Sequence, residues 1–347
     1  MSPSAESETV LVTGANSYYA AAIMDDLVER GVHIRGAVRS EKAAAPLRKR
    51  YGDKITVDIV PDITLPDAFN KCVKGCVAIF HVASPFKYKF ADARTEVLDP
   101  AINGAISALN AAASEPSVRR VIFTSSVAAC IDPLHETGFQ RPGYTYTEAD
   151  WNPVSYETAS GLTAFPPVYT ASKALAEKAA WDFMKEKPRH FDMVAINPCH
   201  TWGPYGQHVD SPDAMNSTNS DLSKLIDGKE TDSPPTIMPW MTDISAVAQA
   251  HVEALYRLEA KGRHIIASSP FDFQQVADLL HSEFAHAEWI SNVPRGSPGK
   301  KALSSHFMLD NTKSKNDLGV QYCPWQESVI NFTKQYQEDR KHFASSK

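Results

Sequence analysis

Thr9-Val10-Leu11-Val12-Thr13-Gly14-Ala15-Asn16-Ser17-Tyr18-Tyr19-Ala20 is the stretch on which the reading of the fold turns. Its first five residues are β-branched except for Leu11 and run unbroken to Gly14, the composition of a strand buried on both faces. From Tyr18 as far as Glu29 the chain has no Gly or Pro, and the segment reads as a helix. Gly14 to Ser17 leave room only for a tight turn between the two.

The same alternation continues outward. Strands are expected over residues 32–38, 55–60, 77–82, 120–124 and 191–196, with a short one over 262–266. Helices are expected over 101–113, 168–185, 246–258 and 273–284. Buried strands alternating with helices read as α/β, a Rossmann-type doubly wound parallel sheet, whose ligands lie beyond the carboxyl ends of the strands. The opening strand, turn and helix are the unit that holds a dinucleotide, with the phosphates at the helix N-terminus. Residues 1–198, with a return segment at 241–268, are expected to form the dinucleotide-binding domain. Residues 199–240 and 269–347 are expected to form a smaller C-terminal α/β substrate-binding region.

At 347 residues, 43% hydrophobic and 22% charged, the chain has the composition of an ordinary globular protein. Its formal charge of −6 gives no electrostatic reason for a nucleic acid or an acidic membrane as partner. The first residues lack a basic segment followed by an apolar one, and no apolar run approaches the ~20 residues of a membrane span. A cytoplasmic monomer or homodimer is expected. The five cysteines, Cys72, Cys76, Cys130, Cys199 and Cys323, complete no zinc set at any usual spacing, so they read as reduced thiols and no metal is expected.

Chemistry enters with Val168-Tyr169-Thr170-Ala171-Ser172-Lys173. Tyr169 and Lys173 are four residues apart at the start of a helical run, so both side chains project from one face. A free phenol has a pKa of about 10, and a nearby ammonium in a desolvated cleft lowers it, which makes Tyr169 a proton donor for a carbonyl oxygen. The bland alternative is a surface tyrosine and lysine that meet by chance.

Several further motifs occur in order along the chain. Phe80-His81-Val82-Ala83-Ser84-Pro85-Phe86 resembles the FHVATP signature of dihydroflavonol reductases and their fungal aldehyde and ketone reductase relatives. Ser125-Ser126 ends the fifth strand, and Asn197-Pro198-Cys199-His200-Thr201-Trp202-Gly203-Pro204 resembles NPxxVxGP. Val247-Ala248-Gln249-Ala250-His251 resembles DVAxAH, and residues 310–319 resemble DxSKxxxxLG. Together these motifs resemble the extended short-chain dehydrogenase/reductases, in their dihydroflavonol-reductase-like fungal carbonyl reductase group, from about residue 9 to residue 330. The turn departs from that family's TGxxGxxG, since only Gly14 of three glycines is kept. Ala20 is a mild change. Ser17 must either push the phosphates away or offer them its hydroxyl, and it would be strained by about 1–2 kcal/mol if the position needs positive φ.

The resemblance implies hydride transfer from NADPH to a ketone or aldehyde. Ser126 would hold the carbonyl oxygen, Tyr169 would give the proton, and Lys173 would lower the tyrosine pKa and hold the nicotinamide ribose. Cofactor contacts are expected from Thr13, Gly14, Asn16, Ser17, Tyr18 and Tyr19 in the turn, from Val82, Ala83 and Ser84 after the fourth strand, and from Thr124. Asp62 is expected near the adenine amino group with Ile63 against its ring, and Pro198 against the nicotinamide. Asn103 matches a family residue that supports the site. The second strand ends in Arg39 where an NAD enzyme would carry an acid, and with Lys42 one turn on it suits the 2′-phosphate of NADP+.

Pro85, Phe86, Val127, Phe165, His200 and Trp202 are expected to touch substrate, with Tyr88, Tyr205 and Trp240 in segments that approach it. The substrate would then be a small, largely apolar or aromatic carbonyl compound. Ile131, where plant flavonoid reductases carry a polar contact, points away from flavonoids. His81 reads as a packed strand residue. Residues 132–167 read as a long functional connection and 208–219 as a mobile excursion over the site. A non-catalytic dinucleotide sensor and an NAD-retaining sugar-nucleotide epimerase or dehydratase are the rival classes.

Overall fold

The computed structural model describes residues 8–84, 89–137, 140–300 and 306–345. In chain order the first elements are β1 (Thr9–Thr13), α1 (Tyr18–Glu29), β2 (His33–Val38), α2 (Glu41–Tyr51), β3 (Ile55–Ile59), β4 (Ala78–His81), α3 (Asp99–Ser114) and β5 (Arg120–Thr124). After them come β6 (Thr145–Tyr146), α4 (Tyr156–Ser160), α5 (Phe165–Lys185), β7 (Asp192–Pro198), β8 (His200–Trp202), α6 (Ser217–Ile226) and β9 (Trp240–Asp243). The chain ends with α7 (Ile244–Tyr256), β10 (Gly262–Ile266), β11 (Ser269–Pro270), α8 (Phe273–Glu283), β12 (Met308–Leu309), α9 (Thr312–Leu318) and α10 (Trp325–Ser345).

Seven strands form one parallel sheet in the order β3-β2-β1-β4-β5-β7-β10. From β1 the chain first winds outward through β2 and β3, then returns to the other side through β4, which creates a switch point between β1 and β4. Alternation along the strands explains why they read as continuous apolar runs. Val10 and Val12 pack beneath α1, α2 and α7, whereas Leu11 packs against α3 and α5. Phe80 and Ile79 divide between the two faces in the same way.

A third apolar cluster lies outside the sheet, where Trp202, Tyr205, Leu222, Phe271, Phe273, Trp325 and Phe332 join the region of β8 and α6 to α8 and α10. Two small sheets accompany it, β11-β9-β8 and β12-β6.

Three local features differ from the sequence reading. The helix that carries Tyr169 starts at Phe165 and takes Pro166 and Pro167 into its first turn, where proline costs no hydrogen bond. Residues 132–167 are not a bare loop, because β6 pairs with β12 and α4 precedes α5. The 208–219 excursion runs into α6 at Ser217 and is tied down there. Trp202 Nε1 donates to the Thr218 carbonyl at 3.0 Å, and Asn219 Nδ2 donates to the Gly203 carbonyl at 3.0 Å.

Candidate active site

Beyond the carboxyl ends of β1, β4 and β5 lies a cavity of about 500 Å³. Ser126, Tyr169 and Lys173 all line it. So do Ser17, Tyr18 and Tyr19 from the start of α1, Val82 and Ser84 after β4, and Thr124 and Val127 around the end of β5. Phe165 and His200, both expected at the substrate, are on its wall as well.

Each of the three central side chains is held by its element. Ser126 follows β5 and caps the short helical turn Val127–Ala129, its Oγ accepting from Ala128 N at 3.1 Å. Its own hydrogen is directed to the Pro198 carbonyl at 3.4 Å, a long bond. Tyr169 stacks on Phe165, one turn earlier on α5, with ring centroids 5.6 Å apart and planes 22° apart. Lys173 follows one turn later, and burial lowers its pKa to about 8, with Glu177 acting in the opposite direction.

Glu177 is the residue the sequence reading missed. It stands one further turn along α5, fully buried, and its carboxylate accepts from five donors. Arg263 Nε donates to Oε1 at 2.7 Å and Trp181 Nε1 at 3.1 Å. Ser125 Oγ, Asn197 Nδ2 and Arg263 Nη2 donate to Oε2 at 2.5, 2.9 and 3.4 Å. Asn197 Nδ2 also donates to the Ser126 carbonyl at 3.1 Å, so the hub joins α5 to the ends of β5 and β7. The signal lay in the spacing, since 169, 173 and 177 fall on one helix face.

Two histidines brace the strand ends. His251 Nδ1 bonds the Val247 carbonyl at 2.7 Å, which leaves Nε2 to accept from Thr124 Oγ1 at 2.8 Å. Thr13 Oγ1 accepts from Val82 N and Ala83 N at 3.1 and 3.0 Å and meets His81 Nδ1 at 3.1 Å. Thr13 is thus a buried strut between β1 and the exit of β4, and His81 is a packed strand residue, 3% exposed.

The residues of the turn fit a dinucleotide diphosphate. Gly14 takes φ +62°, and a Cβ there would lie 2.9 Å from Ala83 Cα, so glycine is required. Ser17 takes φ −90° and ψ 165°, extended backbone open to any residue. The strain considered for a serine at this place is therefore absent. No side chain caps α1, and the buried Ser17 Oγ has no hydrogen-bond partner among the described residues. A bare helix N-terminus beside an unpaired hydroxyl suits an anion.

The remaining expected residues lie elsewhere. Ala83 and Pro198 sit next to lining residues without being on the wall, the Gly14 carbonyl accepts from Ser17 N at 2.9 Å just behind it, and Asn16 is exposed in the turn. Arg39 is exposed after β2, and Asp62 is exposed with Oδ1 accepting from Thr64 Oγ1 at 2.7 Å and Thr64 N at 2.9 Å. Those bonds hold the Asp62 carboxyl below its ordinary range. Ile63 is half-buried and packs over Gly104 of α3, while Asn103 is exposed on the same helix. Lys42 lines a different groove, of about 900 Å³, shared with Arg50, Tyr205 and α10.

Expectations for four residues near the substrate change. Trp202 is 0% exposed and packs on Phe271 at 4.5 Å behind the wall. Tyr205 and Trp240 are buried, their polar atoms bonded to Asp339 and the Phe307 carbonyl. Ile131 is 1% exposed in a cluster with Val127, Tyr146 and Phe307, so it bears on packing rather than on substrate. Pro85, Phe86 and Tyr88 lie outside the described residues. Asn216, Ser217 and Thr218, inside the 208–219 stretch expected over the site, line the cavity, and Asp221, Ile237 and Met238 are lining residues missed from sequence. No described residue of 269–347 lines the cavity.

Comparison with known proteins agrees with this fold. The chain is 32% identical, over 92% of its length and 96% of the relative's, to an NADPH-dependent methylglyoxal reductase of Saccharomyces cerevisiae. It is 33% identical to aldehyde reductase 2 of Sporidiobolus salmonicolor, over 83% of this chain and 85% of that one. The crystal structure of yeast methylglyoxal/isovaleraldehyde reductase complexed with NADPH superposes with a TM-score of 0.84 at 30% identity, covering 96% of this chain and 99% of that one. The model of the 3-beta hydroxysteroid dehydrogenase/isomerase family matches residues 11–273. The chain therefore belongs to that family, among the extended short-chain dehydrogenase/reductases, with fungal aldehyde and methylglyoxal reductases as its relatives.

Proposed function

We propose that this protein is an NADPH-dependent reductase of small aldehydes and ketones in which Tyr169 delivers the proton. The observation that carries the reading is the convergence of Ser126, Tyr169 and Lys173 on one cavity that Ser17 of the turn also lines. When bound, NADPH supplies the hydride.

The chain's own residues do the rest. The start of α1 and Ser17 Oγ hold the diphosphate, and Arg39 answers the 2′-phosphate. Ser126 exchanges its long bond to the Pro198 carbonyl for one to the substrate oxygen, fixing the carbonyl in place. Tyr169, its ring oriented by Phe165, gives its proton to that oxygen. Lys173 is charged at neutral pH and favours the resulting phenolate. Val127, Phe165, Ile237 and Met238 shelter the carbon skeleton from water. In this reading the substrate side of the cavity is the segment 199–240, and residues 269–347 support it from behind.

The yeast relative's named substrates make methylglyoxal and isovaleraldehyde the first compounds to test. NADPH should be consumed with such carbonyls and oxidised far more slowly without them. Tyr169→Phe should keep cofactor affinity and lose roughly 10²-fold or more in kcat. Turnover by that variant at the wild-type rate would remove Tyr169 from the mechanism.

A further inference from the structure

The substrate side of the cavity carries a polar pair that proton and hydride transfer leave unused. His200, which opens β8, and Asp221, in α6, both line it, and His200 Nε2 lies 3.8 Å from Asp221 Oδ2. That distance is too long for a hydrogen bond. Nε2 is buried and has no hydrogen-bond partner among the described residues. The ring itself is fixed edge-on against Trp202 at 5.0 Å and tilted on Phe271 at 5.6 Å.

Burial lowers the imidazole pKa to about 4, so the ring is neutral at pH 7. Burial also pushes the Asp221 carboxyl up to about 6, with Lys224 opposing and Glu230 adding to the effect. The side chain is 42% exposed, and it is therefore predominantly a carboxylate at pH 7. A carboxylate this close favours the tautomer with its proton on Nε2. The pair thus presents one donor and one acceptor to the same point in space. Asn216 adds a second acceptor on this wall, its Oδ1 buried and without a hydrogen-bond partner among the described residues while Nδ2 donates to Thr218 Oγ1 at 3.0 Å.

A hydroxyl is the small group that accepts from an N–H and donates to a carboxylate at once; a carbonyl only accepts and an ammonium only donates. An oxygen at ordinary hydrogen-bond length from both atoms can span the 3.8 Å base. We infer that His200 and Asp221 form a hydroxyl-recognition subsite, and that the favoured substrates are hydroxy-substituted aldehydes and ketones. The inference rests on the reductase reading for the reacting end of the molecule and names what the other end carries.

The test compares carbonyl compounds matched in heavy atoms: hydroxyacetone against 2-butanone, and glycolaldehyde against propanal. Wild type should favour the hydroxylated member by roughly tenfold or more in kcat/KM. Asp221→Asn and His200→Phe should each cut that ratio by about fivefold or more, which separates recognition from the intrinsic reactivity of hydroxycarbonyls. A ratio unchanged in both variants overturns the inference and leaves the reductase reading standing. A stronger preference for aminoacetone, lost in Asp221→Asn, would replace hydroxyl by ammonium and overturn it too. If no carbonyl is reduced, the reductase reading falls, and calorimetric titration with 1,2-propanediol and 2-butanol decides the subsite alone. Tighter binding of the diol supports it, and equal binding overturns it.

Discussion

In the proposed mechanism Lys173 is the residue whose ionisation sets the working range. Its pKa is lowered by burial to about 8 against an ordinary 10.5, so the free enzyme loses the ammonium in mildly alkaline solution. The kcat/KM for NADPH should fall as pH rises through about 8, because the uncharged amine neither favours the phenolate nor holds the ribose as firmly. A profile flat to about pH 9.5 would show that the charge is dispensable. Ser17 is the second test at this scale. Ser17→Ala should weaken NADPH binding by roughly tenfold, the effect of one hydrogen bond to a charged oxygen. Unchanged affinity would show that the unpaired hydroxyl faces no phosphate. Arg39→Asp should shift preference from NADPH toward NADH, as read by the ratio of the two kcat/KM values. Tyr169 and Lys173 were legible as a pair because helical spacing ties them, whereas Ser126 was singled out only by the family resemblance, since two serines ending a strand read by themselves as caps. Asp221 was not, since a polar helix such as α6 shows nothing in its composition about which carboxylate a cavity will meet.

Among the elements, α5 organises the site by presenting Tyr169, Lys173 and Glu177 on successive turns. The ion pair of Glu177 with Arg263 is buried, its side chains 0% and 7% exposed. Such a pair need not exceed a hydrophobic replacement in stability, but removing one partner strands the other charge. Glu177→Gln should therefore destabilise the fold by about 3 kcal/mol or more, measured by urea unfolding without cofactor. A loss under about 1 kcal/mol would mean that water reaches Arg263 and takes over. Element boundaries followed from the sequence to within about two residues where apolar periodicity was strong, as in β1, α1 and β5. They were missed where the partner was remote. β6 exists only because residues near 308 return to pair with it, and the first turn of α5 was hidden by two prolines.

For the whole molecule, the alternation of strands and helices carried the sheet and its switch point, and thereby the edge on which the cavity sits. The third apolar cluster was less legible, because its aromatic residues come from segments spread over more than a hundred residues and read equally well as pocket lining. One global property follows from burial. His81, His251 and His264 are neutral inside the fold, with pKa values lowered to about 3, 4 and 4 from 6.5, in each case chiefly by burial. Below pH 6.5 the unfolded chain binds these protons first, so stability should decline as pH falls from about 6.5 toward 4. A melting temperature constant over that interval would contradict the neutral assignment. Ile237 has a different consequence. It lines the cavity yet is 54% exposed, which makes it the lip of the opening. The doorway and the central trio are thus built from separate parts of the polypeptide, so evolution is free to widen or narrow the threshold at position 237 while Ser126, Tyr169 and Lys173 stay as they are.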